Sequence, residues 1–135
     1  MIQFIFELIH FLLFICLLIL PYVSSKKFIN TYGIYFSSFM TFVILMWVIF
    51  KNCPLSKFDK YNSEWGSTIT FLNKRLLIKT TPYTKYIWAI GAILYSLSAF
   101  ILAGSHTNLK VIIIILTSLH FYFHYSTLGT IKRKN

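Results

Sequence analysis

The sequence predicts an all-α membrane protein, a four-transmembrane-helix bundle made of two antiparallel hairpins. A cytoplasmic amphipathic segment is expected between the second and third helices. Three observations predict this class. Four long apolar stretches account for most of the 135 residues, and an apolar helix of about 20 residues crosses a bilayer core. Only 12% of the residues are charged, about half the share found in soluble domains. The basic residues are concentrated on one predicted side.

The apolar stretches predict where the chain crosses the membrane. The four expected spans are 4–23, 33–50, 86–103 and 111–125. They make residues 1–135 a single integral membrane domain, with residues 51–85 as its one long loop. The connections 24–32 and 104–110 are short, so helices one and two, and likewise three and four, are expected to pair as antiparallel hairpins. Pro21 lies near the end of the first span, where proline kinks or stops a helix.

The basic residues favour one orientation in the membrane. With four spans, the long loop and both termini lie on the same side. That side holds ten of the 13 basic residues: Lys51, Lys57, Lys60, Lys74, Arg75, Lys79, Lys85, Lys132, Arg133 and Lys134. The other side holds Lys26, Lys27 and Lys110. The positive-inside rule therefore predicts that the N- and C-termini and the long loop are cytoplasmic.

The net charge of +10 also indicates the class of partner. Basic residues beside membrane spans attract the anionic lipid of the cytoplasmic leaflet. Because these residues flank spans and form no separate module, nucleic acid is not an expected partner. Within the loop, residues 68–79 combine an apolar helical face with three basic residues, which favours an amphipathic segment on that leaflet. The start of this segment also fits a short strand.

The beginning of the loop contains a short motif of residues that end or begin helices. Pro54 is expected to end the second helix. Ser56 and Asp59 have the spacing of a capping box, so a short helix beginning near Ser56 is predicted. Cys53 lies beside basic residues, which would favour its thiolate form. No general base or second thiol accompanies it, so we expect Cys53, Ser56 and Asp59 to have structural roles.

Two patterns predict how the helices pack. Ala92, Ser96, Ala99 and Ala103 place small residues along one face of the third span, which lets another helix approach closely. Trp47 and Trp88 lie near the cytoplasmic ends of spans two and three. Tryptophan is enriched at membrane–water interfaces, so both are expected to be interfacial anchors.

The candidate functional residues form a polar cluster in otherwise apolar helices. Glu7 and His10 share one face of the first span, and His120 and His124 share one face of the fourth. If the first and last helices are antiparallel neighbours, as we expect, all four side chains lie at a similar depth. Ionisable residues inside a span are costly and usually face the protein interior.

The cluster allows two interpretations. Glu-x-x-His and His-x-x-x-His place two ligands on one helical face, so Glu7, His10, His120 and His124 could bind a metal ion. Two histidines from different helices could instead bind haem axially. The alternative is structural, with the histidines hydrogen-bonded inside the protein and Glu7 reaching the interface. No catalytic residue set and no specific cofactor is predicted.

The first half of the chain resembles an uncharacterised family of small bacterial multi-pass membrane proteins. The resemblance rests on the His10-Phe11 pair in the first helix and on Trp47 near the end of the second. Cys-Pro-Leu-Ser-x-x-Asp at 53–59 then corresponds to the family's Cys-Pro-Leu-Thr-x-x-Glu. The resemblance implies a multi-pass architecture and does not indicate an activity.

The expected function follows from the small size of the membrane domain. Four short helices leave little room for a substrate pathway, so a non-enzymatic accessory, scaffold or assembly subunit is predicted. Such a protein would work as a homo-oligomer or as part of a larger membrane complex. Two alternatives stay open, a metal- or haem-binding bundle with a redox or enzymatic role, and an oligomeric pore or small transporter.

Overall fold

A computed structural model describes residues 2–50 and 84–124, and over these residues the chain forms four helices and no strand. The helices are α1 (Ile2–Val23), α2 (Lys26–Phe50), α3 (Thr84–Leu102) and α4 (Thr107–His124). The all-α prediction is therefore confirmed for the described residues. The predicted amphipathic segment 68–79 and the motif of Cys53, Ser56 and Asp59 lie outside them.

The connection between α1 and α2 is much tighter than predicted. Ser24 Oγ donates a hydrogen bond of 2.6 Å to the Leu20 carbonyl oxygen at the end of α1. Ser25 Oγ then accepts a 3.1 Å bond from the Phe28 backbone N–H and caps the start of α2. Helix α2 therefore begins at Lys26 and not at Gly33. The error arose because hydropathy locates the apolar part of a helix, whereas a capping residue determines its start.

A glycine in the left-handed conformation ends α3. Gly104 has a φ of 58°, and its N–H donates to the Ile101 carbonyl oxygen at 3.1 Å. The His106 N–H donates to the Ala103 carbonyl oxygen at 3.0 Å, which completes the turn into α4. Glycine adopts this conformation without the steric cost that a side chain would add, as is common just after a helix.

Helices α2 and α3 form the centre of the packing. Helix α2 packs against α3 and α4, while α3 also packs against α1 and α4. In α2 and α3, Gly33 meets Leu102 and Ser37 meets Ala99, so these helices are antiparallel. In α1 and α3, Phe14 meets Tyr95 and Leu18 meets Ser98, so these helices run in the same direction. Helices α1 and α4 lie on the two sides of the α2–α3 pair. The predicted side-by-side packing of the first and last helices is therefore wrong.

The small-residue face of α3 is buried against the neighbouring helices. Ala92, Ser96, Ala99 and Ala103 are all buried. Opposite this face, a Cβ added at Gly33 of α2 would clash with the Leu102 carbonyl oxygen. Because glycine has no side chain, the backbones of α2 and α3 can approach each other closely at this point.

Large apolar side chains lie both on the surface and in the interior of the described residues. Large apolar residues are exposed on every helix, including Ile9 at 59%, Phe42 at 56% and Ile114 at 55%. The interior is also mainly apolar and includes Met40 and Tyr95. It holds the polar residues Ser37 and Ser98 as well, both fully buried. By length and composition, Lys26–Ile49 and Thr107–His124 could cross a membrane, while Leu8–Val23 and Tyr86–Leu102 are shorter apolar helices.

Candidate functional site

Helix α4 directs one polar face toward α2 and α3. Ile113, Thr117, His120 and His124 recur at intervals of four, three and four residues, which places them on a single helical face. Ile113 and His120 are buried, and Thr117 and His124 are half-buried. The remaining faces carry exposed isoleucines and Leu119. The histidines therefore face inward.

His120 lies in an aromatic environment at the end of the helices where α2 ends and α3 begins. Its ring centroid is 4.7 Å from that of Trp88 and 5.5 Å from that of Trp47. The side chain is 2% exposed. Its Nε2 atom is buried and has no hydrogen-bond partner among the described residues. A buried polar atom left without a partner costs about 1–3 kcal/mol of stability.

His124 differs from His120 because it is tied to the neighbouring helix. Its Nε2 lies 2.8 Å from the Val48 carbonyl oxygen of α2. Since a carbonyl oxygen only accepts, this bond places a proton on Nε2 of His124. The His120 and His124 ring centroids are 5.7 Å apart. The two histidines therefore form a close pair in which one ring is oriented by a backbone carbonyl.

His120 also belongs to an aromatic array that we define as Phe14, Tyr95, Trp47, His120 and Trp88. Phe14 stacks on Tyr95 with ring centroids 5.3 Å apart and planes within 3° of parallel. Tyr95 is 4.8 Å from Trp47, which in turn contacts His120. The array includes a residue from each helix. Contacts between aromatic rings contribute about 0.5–1.5 kcal/mol beyond area burial, so the array stabilises the packing of all four helices.

The two tryptophans contact other helices, and their predicted role as interfacial anchors stays a prediction. Both pack on the His120 ring, and Trp88 is buried with 9% exposure. Tyr95 is 2% exposed and was missed as a central residue by the sequence reasoning. Trp88, Ala92, Tyr95 and Ala99 follow helical spacing, so Tyr95 belongs to the small-residue face of α3. That spacing could have identified it.

The structure brings together only part of the predicted polar cluster. His120 and His124 are neighbours on α4. His10 is half-buried on α1, which packs chiefly against α3. Glu7 belongs to α1, but its side chain lies outside the described part. Among the described residues, no three His, Cys, Asp or Glu side chains are grouped to hold a metal ion. The four-residue metal site assumed that α1 and α4 pack side by side. The described helices do not pack in this way, so the site stays a prediction that has lost its geometric basis.

No protein-family model, curated protein or solved structure matches this chain. The resemblance to small bacterial multi-pass membrane proteins therefore remains a prediction from the residues that carry it. What the site does must follow from its own side chains. They form a well-packed aromatic interior with one orphaned imidazole nitrogen, an arrangement that suits a structural role and leaves one potential ligand atom.

Proposed function

We propose that this chain is a small multi-pass integral membrane protein that acts as a non-enzymatic accessory, scaffold or assembly subunit. The observation that carries the proposal is the exposure of large apolar side chains on all four helices. In water, apolar patches of this extent mark binding or membrane surfaces. In a bilayer, the same side chains face lipid or the helices of a partner.

Hydrogen bonds between the helices support a membrane location. Ser37 Oγ of α2 donates to the Ala99 carbonyl oxygen of α3 at 2.7 Å. Ser98 Oγ of α3 donates to the Leu18 carbonyl oxygen of α1 at 2.6 Å. Buried hydroxyls with partners on another helix are typical of membrane helix packing, because hydrocarbon offers them no other partner.

The helix directions support the proposed topology. Helix α1 begins, α2 ends, α3 begins and α4 ends at the same end of the molecule, because α1 and α3 run opposite to α2, and the Val48 carbonyl of α2 meets His124 at the end of α4. Both chain termini and the segment between α2 and α3 thus leave from this end. In the sequence, these segments contain most of the basic residues, so we place this end in the cytoplasm.

A scaffold role agrees with how the interior is filled. The aromatic array occupies the space where the four helices meet at the proposed cytoplasmic end. The apolar residues that remain exposed, such as Phe39 and Ile90, point away from that interior. Partner helices can therefore pack on the outside without disturbing the array. Self-association or a larger membrane partner would use these outer faces.

The mass of the complex in mild detergent tests this proposal. We expect native mass spectrometry to detect assemblies larger than the single chain of 15.9 kDa, with a fixed stoichiometry. Co-expression of two differently tagged copies distinguishes self-association from binding to another protein. A single chain at every detergent concentration, together with a measurable turnover or flux, would contradict the scaffold proposal.

A metal- or haem-binding role is the second candidate, and the orphaned Nε2 of His120 is the observation that favours it. An imidazole nitrogen with a free lone pair is a common ligand for zinc and for haem iron. If this role is correct, purified protein should carry stoichiometric metal or a haem absorbance band. His120→Phe should remove it, and His106→Phe, in the exposed turn, should not. Equal loss in both variants, or no bound metal or haem in the wild type, would rule it out.

A further inference from the structure

A groove of about 510 Å³ lies between α3 and α4 on the outer surface of the molecule. Ile93, Leu97 and Phe100 of α3 form one wall, and Ile114 and Phe121 of α4 contribute to the other. At 1.5 Å of rise per residue, the α4 wall from Ile113 to Phe121 is about 12 Å long. The groove is an open surface groove between the two helices, and its volume is within the usual range of ligand sites.

The hydroxyl groups in the groove are already engaged with the protein. Thr117 Oγ1 is hydrogen-bonded to the Ile113 carbonyl oxygen at 2.7 Å and to Ser96 Oγ at 2.8 Å. Ser118 Oγ donates to the Ile114 carbonyl oxygen at 2.8 Å. Since these groups have partners, the remaining lining is aliphatic and aromatic. The chemistry of the groove fits a flexible apolar chain.

A positive charge stands at one end of this apolar groove. The Lys110 Nζ atom lies 4.8 Å from the centroid of the Phe100 ring, which lines the groove. A cation over an aromatic face is held in place by the ring quadrupole. Lys26 and Lys27 lie at the same end of the molecule, because α2 and α4 run in the same direction. Glu7, at the opposite end, is the only acidic residue within 2–50 and 84–124. The charge at this end is therefore not compensated by the described chain.

We propose that the α3–α4 groove binds one acyl chain of an anionic phospholipid of the leaflet opposite the proposed cytoplasmic one, whose headgroup phosphate pairs with Lys110. This inference rests on the proposed membrane location. An apolar surface groove beside an uncompensated ammonium group is complementary to a molecule with a long chain and an anionic head. A second copy of the chain fits less well, because a helix laid over the groove would cover Lys110 without supplying a counter-charge.

Titration of delipidated protein with two phospholipids tests the headgroup contact. Native mass spectrometry in mild detergent would compare phosphatidylglycerol with phosphatidylcholine carrying the same acyl chains. We expect one phosphatidylglycerol to bind about fivefold more tightly, the factor that corresponds to ~1 kcal/mol for one partly exposed ion pair. Lys110→Gln should abolish the preference, and the matched variant Lys27→Gln should keep it. Equal binding of both lipids, or equal effects of the two variants, would overturn the proposal.

A second pair of variants tests the groove itself. Ile114→Trp fills the groove, whereas Ile112→Trp adds the same bulk to an exposed position of α4 that does not line it. We expect Ile114→Trp to lose binding of both lipids and Ile112→Trp to retain it. Retained binding in Ile114→Trp would contradict the proposed site. Conversion of a dimer to a monomer by Ile114→Trp would assign the groove to a second copy and also overturn the proposal.

Carbonate extraction of membranes keeps this proposal separate from the proposed function. If wild-type protein is released by carbonate, it is not an integral membrane protein, and both proposals fail. If wild type and Lys110→Gln stay in the membrane fraction but the lipid preference is absent, only the groove assignment fails.

Discussion

At the scale of single residues, His120 combines two opposing effects. Its ring packs against Trp47 and Trp88, and these contacts stabilise the folded state. Its buried Nε2 atom, without a partner among the described residues, opposes folding. An apolar ring of similar size would keep the first effect and remove the second.

We expect His120→Phe to raise the free energy of unfolding by about 1 kcal/mol, because it replaces an unsatisfied polar atom with an apolar ring. Thermal unfolding in detergent, followed by tryptophan fluorescence, measures the change. His124→Phe is the matched variant, and it should lower stability by about 1 kcal/mol since the bond to the Val48 carbonyl is lost. Destabilisation of His120→Phe by as much as His124→Phe would show that the His120 nitrogen has a partner or ligand.

The sequence identified part of this site and missed the rest for a physical reason. His120 and His124 were predictable because ionisable residues in an apolar helix are costly and turn inward. Their aromatic neighbours were not, since rings from α2 and α3 reach His120 only through the helix pairing. The sequence alone did not distinguish Tyr95 from the chain's eight other tyrosines. Its position on the small-residue face is the feature that separates it from them.

At the scale of the helices, the crossing of α2 and α3 depends on Gly33. A methyl group at this position would meet the Leu102 carbonyl oxygen, which is part of the backbone and cannot rotate away. Gly91 of α3 is a natural control, because a Cβ there would meet only Phe14 Cζ at 3.9 Å. Both glycines lie inside helices, so their intrinsic helix propensities are the same.

We expect Gly33→Ala to destabilise the protein by about 1–3 kcal/mol, the range found when extra volume is forced into a packed interior. Gly91→Ala should be neutral or slightly stabilising, because alanine is favoured over glycine in a helix by about 0.5–1 kcal/mol. Thermal unfolding of both variants in the same detergent measures the difference. Equal stabilities would mean that α2 and α3 do not cross as closely as described.

The helices themselves were predictable, and their arrangement was only partly so. Long apolar stretches predicted four helices, all of which are present. The start of α2 was wrong because the Ser25 cap lies outside the apolar stretch. The pairing of the first and last helices was wrong because helices that are apolar all round carry no pattern that selects a neighbour. The small-residue face of α3 did carry such a pattern, and its burial was predicted correctly.

At the scale of the whole molecule, large apolar side chains of the described residues are exposed on all four helices, and hydrogen-bonded hydroxyls lie among the apolar side chains of the interior. The exposed apolar surface is the basis for proposing four membrane spans. The groove between α3 and α4 and its proposed lipid belong to the same lipid-facing surface.

The sidedness of three positions tests the proposed membrane topology most directly. In a background of Cys16→Ala and Cys53→Ala, Ser105→Cys, in the exposed turn between α3 and α4, should react in intact cells with a thiol reagent that cannot cross membranes. Reporters after Asn135 and within 62–80 should both report the cytoplasm. Reporters on opposite sides, or a Ser105→Cys position on the same side as the C-terminus, would contradict four membrane spans.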